Sequence, residues 1–440
     1  MFFRSFRLFA ATSLTTLLLS ACGGGGDPAP APTGLTVTPA ESSVSVSWDV
    51  SSGVEYWLFY GPTSIAPTDV SSMAGWIGLP GGNVILDLST SPRVITGLVN
   101  GTDYAFTANG RTDGGPGGPG ATPLIAKPRL AGATWTAGTA ITSVPALRGV
   151  AHRATVATTA TASASTYLAG GVGGAMFSSK DGTSWTSISP VTSNTLNGAS
   201  YGGGAYKLGG DAGVVLTSSD AVAWNARSSG TSNNLHAVAH NPSGMSVAVG
   251  AAGTIIYSRD STAWAAANYS GTAPTGHLYA VTHSSFNVGS NTAGTWVAVG
   301  AGGTMLQSAD GVNWKTVNSG ITVDLRGIAS GITKAATPTS PGSVTTFVAV
   351  GASGTLFSST DGVAWTPQAV PVAGINLNAV TYGTQFIAAG AGGNIFHSTD
   401  GTLWTSAVVT PGLTNDLFAV VRGTLAYSAV GASGTNLFAK

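Results

Sequence analysis

A tryptophan recurs at regular intervals along the last three hundred or so residues of this chain. Six tryptophans each follow a glycine by fourteen positions, and a seventh, Trp135, precedes the first of those glycines. The six are Trp185, Trp224, Trp264, Trp314, Trp365 and Trp404. A period of about 40–50 residues is typical of closed or stacked repeat folds, in which each unit buries its apolar face against the next.

Each repeat carries four short strand signals. The first strand begins with Leu-x-Gly/Ala-Val, as in Leu235–Val238, and the second ends at a turn glycine, as in Trp296–Gly300. The third follows a Gly-x-x-Gly turn, as in Thr254–Tyr257, and the fourth begins at the tryptophan. Frequent glycine and proline favour short strands joined by turns, so the predicted fold class is all-β.

The strand count predicts that the repeats close into a ring. Seven leucines begin the first strands: Leu147, Leu196, Leu235, Leu278, Leu325, Leu377 and Leu417. The last repeat reaches Lys440 without a fourth strand. Thr134–Thr136, in contrast, precedes the first leucine and has no earlier strands of its own repeat to pair with. If Trp135 completes the C-terminal blade, only short, protected edges remain. Residues 133–440 are therefore predicted to form a seven-bladed β-propeller with split-blade closure.

A separate β-sandwich is predicted for residues 32–126. Val44–Trp48 alternates apolar and polar residues, and Tyr56–Tyr60 reads as a second, more deeply buried strand. Gly97–Phe106 combines a leucine, a tight turn and Tyr104, which resembles the tyrosine corner of fibronectin type III domains. The resemblance implies a spacer or an adhesion unit, since the fold by itself specifies no activity.

The N-terminus has the features of a targeting segment. Arg4 and Arg7 precede the apolar stretch Leu8–Leu19, and the single cysteine of the chain, Cys22, follows two small residues. This arrangement resembles a bacterial lipobox, which implies a signal peptide over 1–21 and lipid attachment at Cys22. The alternative is an ordinary signal peptide with a chance cysteine.

The residues after the cysteine bear on localisation. Gly23 stands where the signal for inner-membrane retention would resemble an aspartate, so the resemblance implies an outer-membrane lipoprotein in the cell envelope of a Gram-negative bacterium. Residues 22–31 are expected to form a flexible tether. The predicted membrane contact is therefore made through lipidated Cys22, on the periplasmic or the surface-facing side.

The turn between the third and fourth strands carries Ser-x-Asp-Gly-x-x-Trp or a close variant. It resembles the Asp-box of sialidases, sortilin-type receptors and the photosystem II assembly factor family, with one residue fewer between aspartate and tryptophan. Ala221 and Ser261 replace the glycine in two repeats. We interpret the six aspartates as turn-building residues: Asp181, Asp220, Asp260, Asp310, Asp361 and Asp400. Calcium binding is the alternative, but each box offers one carboxylate.

The sharpest enzymatic hypothesis is a sialidase-like glycoside hydrolase. That family uses an arginine triad, a tyrosine nucleophile paired with glutamate, and an acid/base aspartate. The only two glutamates of the chain precede the repeats, so the two-carboxylate chemistry would depend on Asp211, Asp324 and Asp416. Arg148 and Arg326 share one repeat position, which is a weak match to the triad. We therefore predict no enzymatic activity, no cofactor and no metal.

Charge narrows the class of partner. Charged residues make up 8% of the chain and the formal net charge is zero. A nucleic-acid-binding protein would normally carry a basic stripe, and none is present in this sequence. A protein or a glycan is the expected ligand, bound by a monomer.

The residue after each first-strand leucine is the candidate binding position, because it would lie at the mouth of the central channel. These residues are Arg148, Asn197, His236, Tyr279, Arg326, Asn378 and Phe418. Their mixed chemistry contrasts with the repetitive framework and suggests a ligand-facing ring, although surface drift explains it nearly as well. Long loops are predicted at Arg153–Thr166, Ser284–Thr295 and Gly331–Thr346, on the face that carries the Asp-box turns.

These observations predict a non-catalytic, membrane-anchored lipoprotein. It would recognise a protein or glycan partner through the propeller, or assist assembly of an envelope complex. A sialidase-like, glycan-active enzyme and a purely structural adhesion module remain the alternatives.

Overall fold

The computed structural model describes residues 26–71, 73–139, 141–142, 144–153, 166–284, 294–334, 344–424 and 426–439. The predicted signal peptide, Cys22 and most of the three predicted long loops lie outside these residues. The chain divides into two compact units, Met1–Leu130 and Ala131–Lys440, called here the N-terminal and C-terminal units. Within the described ranges, no helix has both the length and the apolar character needed to span a membrane.

The N-terminal unit contains two sheets. The smaller has the strand order β2-β3-β6, and the larger has the order β1-β7-β4-β5 with β8 also paired to β7. The strands are β1 (Pro28–Ala29), β2 (Thr36–Ala40), β3 (Ser43–Ser47), β4 (Glu55–Pro62), β5 (Asn83–Leu88), β6 (Arg93–Thr96), β7 (Tyr104–Arg111) and β8 (Leu124–Ala126). A short 3₁₀ helix covers Met73–Trp76.

The core of this unit follows from side-chain alternation along its strands. Val44 and Val46 of β3 are fully buried and cluster with Leu58 and Phe106 of the larger sheet. Tyr104, also in this cluster, accepts a hydrogen bond at its hydroxyl from the backbone N–H of Val99, at 3.2 Å. That contact is the one expected of a tyrosine that returns to the backbone just upstream.

Strand β4 is almost continuously apolar because both of its faces are covered. Trp57 and Phe59 point away from the main core and pack with Met73 and Trp76 in a second cluster. Burial on both faces removes the alternation seen in β3.

The start of the described chain differs from the sequence prediction. Pro28 and Ala29, expected in a flexible tether, form β1 and pair with Arg111 and Gly110 of β7. Ala29 is only 4% exposed. Strand β8 covers just the first residues of β7, which leaves the remaining edge of β7 open to β1.

The described part of the C-terminal unit contains seven sheets, numbered here 1 to 7 along the chain. Sheet 1 comprises β10 (Leu147–Arg153), β11 (Thr166–Gly171), β12 (Met176–Ser179) and β13 (Thr186–Ile188). Sheet 2 comprises β14 (Leu196–Gly202), β15 (Ala205–Gly210), β16 (Val215–Ser218) and β17 (Asn225–Arg227). Sheet 3 comprises β18 (Leu235–His240), β19 (Ser246–Gly250), β20 (Ile255–Ser258) and β21 (Ala265–Ala266).

Sheets 4 to 7 continue the same order, and sheets 4 and 7 gain a fifth strand. Sheet 4 comprises β23 (Leu278–Ser284), β24 (Thr295–Gly300), β25 (Met305–Ser308) and β26 (Asn313–Thr316), with β22 (Asn268–Ser270) as its fifth strand. Sheet 5 comprises β27 (Leu325–Lys334), β28 (Val344–Gly351), β29 (Leu356–Ser359) and β30 (Thr366–Pro367), and sheet 6 comprises β31 (Leu377–Tyr382), β32 (Phe386–Gly390), β33 (Ile395–Ser398) and β34 (Thr405–Ser406). Sheet 7 comprises β36 (Leu417–Arg422), β37 (Tyr427–Gly431), β38 (Asn436–Ala439) and β9 (Thr134–Ala137), with β35 (Val408–Thr410) as its fifth strand.

A 3₁₀ turn joins the second and third strands in six of these sheets. The six turns are Val172–Gly174, Asp211–Gly213, Ala251–Gly253, Ala301–Gly303, Ala352–Gly354 and Ala391–Gly393.

The first strands bring neighbouring sheets into contact all the way round. Each packs against the first strand of the next sheet, and β36 of sheet 7 packs against β10 of sheet 1, so the contacts form a closed circuit. All seven first-strand leucines are fully buried. The small residue two positions later is required by close approach: a Cβ on Gly198 would lie 2.7 Å from the Cα of Ala237.

Strand β9 lies inside sheet 7, between two strands from the far end of the chain. It pairs antiparallel with β38, where Phe438 is opposite Thr136, and parallel with β35, where Val409 is opposite Trp135. Trp135 is completely buried, and its indole N–H donates to the carbonyl of Gly132 at 2.7 Å. The N-terminal strand of the unit is therefore held on both edges.

Strands β22 and β35 were not foreseen from the sequence. Each continues past the fourth strand of one sheet and pairs in parallel with the outer strand of the next, β22 with β26 and β35 with β9. They occupy the two longest tryptophan-to-leucine connections, Trp264 to Leu278 and Trp404 to Leu417. The extra length of these two connections was the only feature of the sequence that could have indicated an additional strand.

One loop is shorter than predicted. Residues 331–334 and 344–346, assigned to the loop Gly331–Thr346, extend the hairpin of β27 and β28. A register shift at Ile332/Lys334 accompanies the extension.

Truncation tests the pairing of β9 with β38. A chain ending before Gly431 loses β38, which leaves one edge of β9 and one edge of β37 unpaired, so we expect aggregation and loss of a cooperative unfolding transition. Size-exclusion chromatography and denaturant unfolding measure both effects. Removal of Lys440 alone is the control and should change neither. A truncated chain that stays soluble, monomeric and cooperative would contradict this account of the closure.

Candidate binding site at the bulge residues

Every sheet of the C-terminal unit has a β-bulge at the same place. The register of the first two strands shifts between the leucine and the second residue after it in all seven sheets. The extra residues, called here the bulge ring, are Arg148, Asn197, His236, Tyr279, Arg326, Asn378 and Phe418. A bulge frees one residue from the ladder and re-aims its side chain. The seven residues that the sequence analysis singled out as candidate binding positions are therefore the seven bulge residues.

All members of the bulge ring end in a flat group: guanidinium, amide, imidazole, phenol or phenyl. Arg148 is exposed and the other six are half-buried. The Arg148 guanidinium lies 5.7 Å from the centre of the Phe418 ring, and Arg326 Nη1 donates to Asn378 Oδ1 at 3.1 Å. The side chains of sheets 7, 1, 5 and 6 thus meet in pairs across sheet boundaries.

An aromatic cluster occupies another part of the ring. The imidazole of His236 lies 5.5 Å from the ring of Tyr279 and 5.9 Å from the ring of His277. His277 precedes a first-strand leucine and was not singled out from the sequence. Its position directly before a bulge in sheet 4 was the only signal.

Three bulge residues also join neighbouring sheets. Asn197 Nδ2 donates to the carbonyl of Leu235 at 3.1 Å, and Asn378 Nδ2 donates to the carbonyl of Leu417 at 2.9 Å. His236 Nδ1 lies 2.9 Å from the carbonyl of Leu278. Each bond reaches the bulge of the next sheet, so these side chains serve the framework. Arg148, Tyr279 and Phe418 make no such bond to a leucine carbonyl within the described residues.

Burial sets the protonation of two ring members. It lowers the pKa of His236, and the nearby His277 and Arg148 act in the same direction, against the Leu278 carbonyl and Asp211. Burial likewise raises the pKa of Tyr279. At neutral pH both side chains are therefore uncharged, and Arg148 and Arg326 carry the positive charge of the ring.

The three aspartates of the C-terminal unit that lie outside the boxes accept hydrogen bonds. Asp324 Oδ1 accepts the backbone N–H of Gly302 at 2.8 Å, and Asp416 Oδ1 accepts that of Gly392 at 2.9 Å. Each bond links one sheet to the turn of the preceding sheet. The third aspartate, Asp211, accepts from the amide of Asn197 at 2.8 Å.

The six box aspartates share one geometry. In sheet 5, Asp361 Oδ1 accepts from the Ser359 hydroxyl at 2.9 Å and from the backbone N–H groups of Val363 and Ala364 at 2.8 Å each. The same three bonds recur at Asp181, Asp220, Asp260, Asp310 and Asp400. One carboxylate oxygen thus closes each turn.

These bonds hold the box carboxylates in their charged form. Burial would raise the pKa of Asp310, but the hydrogen bonds from Asn313, Val312 and Ser308 outweigh it and hold the pKa at about 2. The pKa values of the other five are lowered as well. Among the described residues, no group of three or more His, Cys, Asp or Glu side chains is placed to hold a metal ion.

Comparison with solved structures identifies the class of fold. A structure titled YCF48 bound to D1 peptide superimposes with a TM-score of 0.51 and 16% identity, over 69% of this chain and 94% of that one. The WD40 β-propeller domain of Doa1 gives 0.51 and 10%, over 70% and 97%. YCF48 from Cyanidioschyzon merolae gives 0.49 and 17%, over 70% and 99%.

The chain is therefore an all-β protein that contains a β-propeller fold. At these identities the likeness concerns the fold alone. No protein-family model and no curated protein sequence matches the chain.

The box geometry predicts a stability effect at Asp361. Replacement by alanine removes three hydrogen bonds from one turn, and we expect the free energy of unfolding to fall by about 1–2 kcal/mol, as for loss of a helix cap. Denaturant unfolding measures the loss. Asp361→Asn keeps an acceptor oxygen and should cost less, and Val363→Ala, at an exposed side chain, should cost almost nothing. Equal effects of the two Asp361 variants would contradict the assignment.

Proposed function

We propose that this protein is a bacterial envelope lipoprotein that binds a protein partner at its bulge ring without catalysis. The seven sheets would be the blades of the propeller, closed by β9 in a split blade. The N-terminal unit would be a fibronectin type III-like spacer, as its three-stranded and larger sheets and the Tyr104–Val99 bond support. Cys22 would carry the lipid anchor in the outer membrane.

The bulge ring carries this proposal. Framework positions repeat from sheet to sheet, whereas the bulge position is free of the ladder and differs in almost every sheet. Flat groups can stack on the peptide planes and rings of a partner, and guanidinium and amide groups offer several donors in fixed directions. A mouth lined in this way suits a polypeptide segment.

A non-catalytic role is supported by the state of the carboxylates. The C-terminal unit contains no glutamate. Asp324 and Asp416 accept from backbone N–H groups of turns, and the box aspartates do the same. A pair of free carboxylates facing one substrate, as glycoside hydrolysis requires, is not found among the described residues of this unit.

The likeness to YCF48 favours a protein over a glycan as the partner. That structure is titled as bound to a D1 peptide, so a propeller of this shape can present a peptide-binding surface. The transfer of that property to this chain is part of the proposal.

Loss of the ring should abolish partner capture. We expect Arg148→Ala/Tyr279→Ala/Phe418→Ala to lose the proteins that the wild-type chain enriches from its own envelope after cross-linking. These three side chains make none of the hydrogen bonds to leucine carbonyls that join the sheets, so their removal should spare the fold. Quantitative mass spectrometry of affinity-purified samples gives the measurement. The control is Val222→Ser/Leu403→Ser, which changes two side chains that are each 79% exposed.

An unchanged unfolding midpoint must accompany the loss in the triple variant. If the triple variant captures the same proteins as the wild type while the control loses them, the partner binds at the Asp-box turns that carry Val222 and Leu403 instead of the bulge ring. If both variants capture the same proteins as the wild type, the partner binds at neither surface and the proposal is wrong.

The anchor is tested separately. Cys22→Ser should move the protein from the membrane to the soluble fraction, because a thioether-linked lipid needs the cysteine sulfur. Ser13→Ala, which leaves the cysteine intact, is the control. Retention of Cys22→Ser in the membrane fraction would contradict lipidation.

A further inference from the structure

One residue pair recurs at nearly every interface between neighbouring sheets. An aromatic residue from the second strand of one sheet packs against an apolar residue from the second strand of the preceding sheet. The pairs that share a core cluster are Tyr206 with Leu168, Trp296 with Val247, Phe347 with Val297, Phe386 with Val348, and Tyr427 with Ile387. The two side chains of each pair are uncharged, and burying them together stabilises the interface.

The interface between sheets 2 and 3 breaks this pattern on both sides. Ser246 stands at the aromatic position and Lys207 at the apolar one, and both are fully buried. The Lys207 ammonium donates to the carbonyls of Gly202 and Ala205. The Ser246 hydroxyl, within the described structure, is buried without a hydrogen-bond partner.

A histidine lies in the same polar cluster. His240 is directly opposite Ser246 in its sheet, and its Nδ1 is 3.2 Å from the Ser200 hydroxyl across the interface. Ser200 is in turn opposite Lys207. Burial, and then the charge of Lys207, lower the pKa of His240 to about 4.

The interface between sheets 7 and 1 is polar in a similar way. Ser428 stands at the apolar position opposite Tyr167, and its buried hydroxyl has no hydrogen-bond partner in the described residues. The His152 ring packs on Tyr167 with centroids 4.5 Å apart, and its Nε2 is likewise buried without a partner there. Burial, and then the charge of Arg422, lower the pKa of His152 to about 4.

Within the described ranges, no opposing charge acts on these two imidazoles. The charged groups that act on them are Arg422 for His152 and Lys207 for His240, while Asp181 acts on Tyr167 instead. Burial lowers the pKa of Lys207 only to about 8, so this side chain stays largely charged in mild acid. Each interface would therefore hold two adjacent positive charges once its histidine is protonated.

The direction of the pH effect follows from linkage. An opened interface lets its histidine titrate near 6.5, whereas the closed one holds the pKa near 4. Between these values the opened state binds more protons, so falling pH favours opening, and the effect saturates below about pH 4. The box aspartates stay ionised throughout this window because their pKa values lie below the ordinary value.

We propose that sheets 1 and 2 form an acid-sensitive sector of the ring, which loosens as one unit when the interfaces on its two sides become charged. The interface inside the sector, Leu168 with Tyr206, stays closed, as do the two interfaces of sheet 5, Val297 with Phe347 and Val348 with Phe386. In sheet 4, His283 packs on Trp296 with ring centroids 4.7 Å apart, so the acid-insensitive reference is sheet 5. The device is independent of the proposed partner binding. It makes the propeller sensitive to the acidity of its surroundings at one defined place.

Hydrogen exchange read by mass spectrometry tests the sector in the full chain. Protection factors, corrected for intrinsic exchange, are compared at pH 7.5 and pH 5. We expect residues 147–227 to lose protection together, by about tenfold or more per titrating imidazole. Residues 325–367 of sheet 5, which contain no histidine, should change little. Equal loss in all seven sheets, or no loss in sheets 1 and 2, would overturn the proposal.

Variants taken from the chain's own repeats assign the effect to the two histidines. Tyr201 and Tyr382 occupy the positions equivalent to His152 and His240, so His152→Tyr/His240→Tyr should remove the difference between pH 7.5 and pH 5. His277→Asn, at an exposed histidine, is the matched control and should retain it. If the double variant fails to fold, Lys207→Leu/Ser246→Phe must reduce the loss next to sheet 3; an unreduced loss there would also overturn the proposal.

Discussion

The antiparallel pairing of β9 with β38 is the contact on which the rest of the C-terminal unit depends. It places Trp135 in the core of sheet 7 and gives both β38 and β9 a partner. Every other sheet can form from consecutive residues, but sheet 7 needs both ends of the unit. The buried leucines and the bulge ring take their positions from the closed circuit of first strands, whose last member, β36, belongs to the same sheet as β9 and β38.

Repetition explains most of the framework, and the departures from it carry the individuality of the protein. Leucine and a small residue recur in all seven sheets, and the box serine and aspartate in six, because each makes the same contact wherever it occurs. Bulge residues vary because they are outside the ladder. The exchange of an aromatic–apolar pair for Ser246 and Lys207 changes both positions of one interface, and both residues are fully buried.

The all-β class and a propeller fold could be predicted from the sequence, because a short period with fixed glycine and tryptophan positions leaves few alternatives. The bulge position could be singled out for the same reason, but the bonds of Asn197 and Asn378 could not, because their acceptors belong to the next repeat. Strands β22 and β35 could not be predicted for the same reason. Each pairs with a strand of a neighbouring sheet, and the periodicity within one repeat gives no information about such a partner. Lys207 reads as an exposed charge in sequence, and only the packed interface shows it buried.

The closure of sheet 7 also has a kinetic meaning. Asn436, in β38, bonds the carbonyl of Thr139 across a sequence separation of 297 residues. Bringing such distant segments together costs about 5 kcal/mol of chain entropy, and contacts of this range slow folding. During synthesis β9 is the first strand of the unit to emerge, yet its partners β35 and β38 come after all the strands of sheets 1 to 6. The unit can therefore complete its fold only after the entire chain is available, and until then β9 is a bare edge that must be kept from other chains.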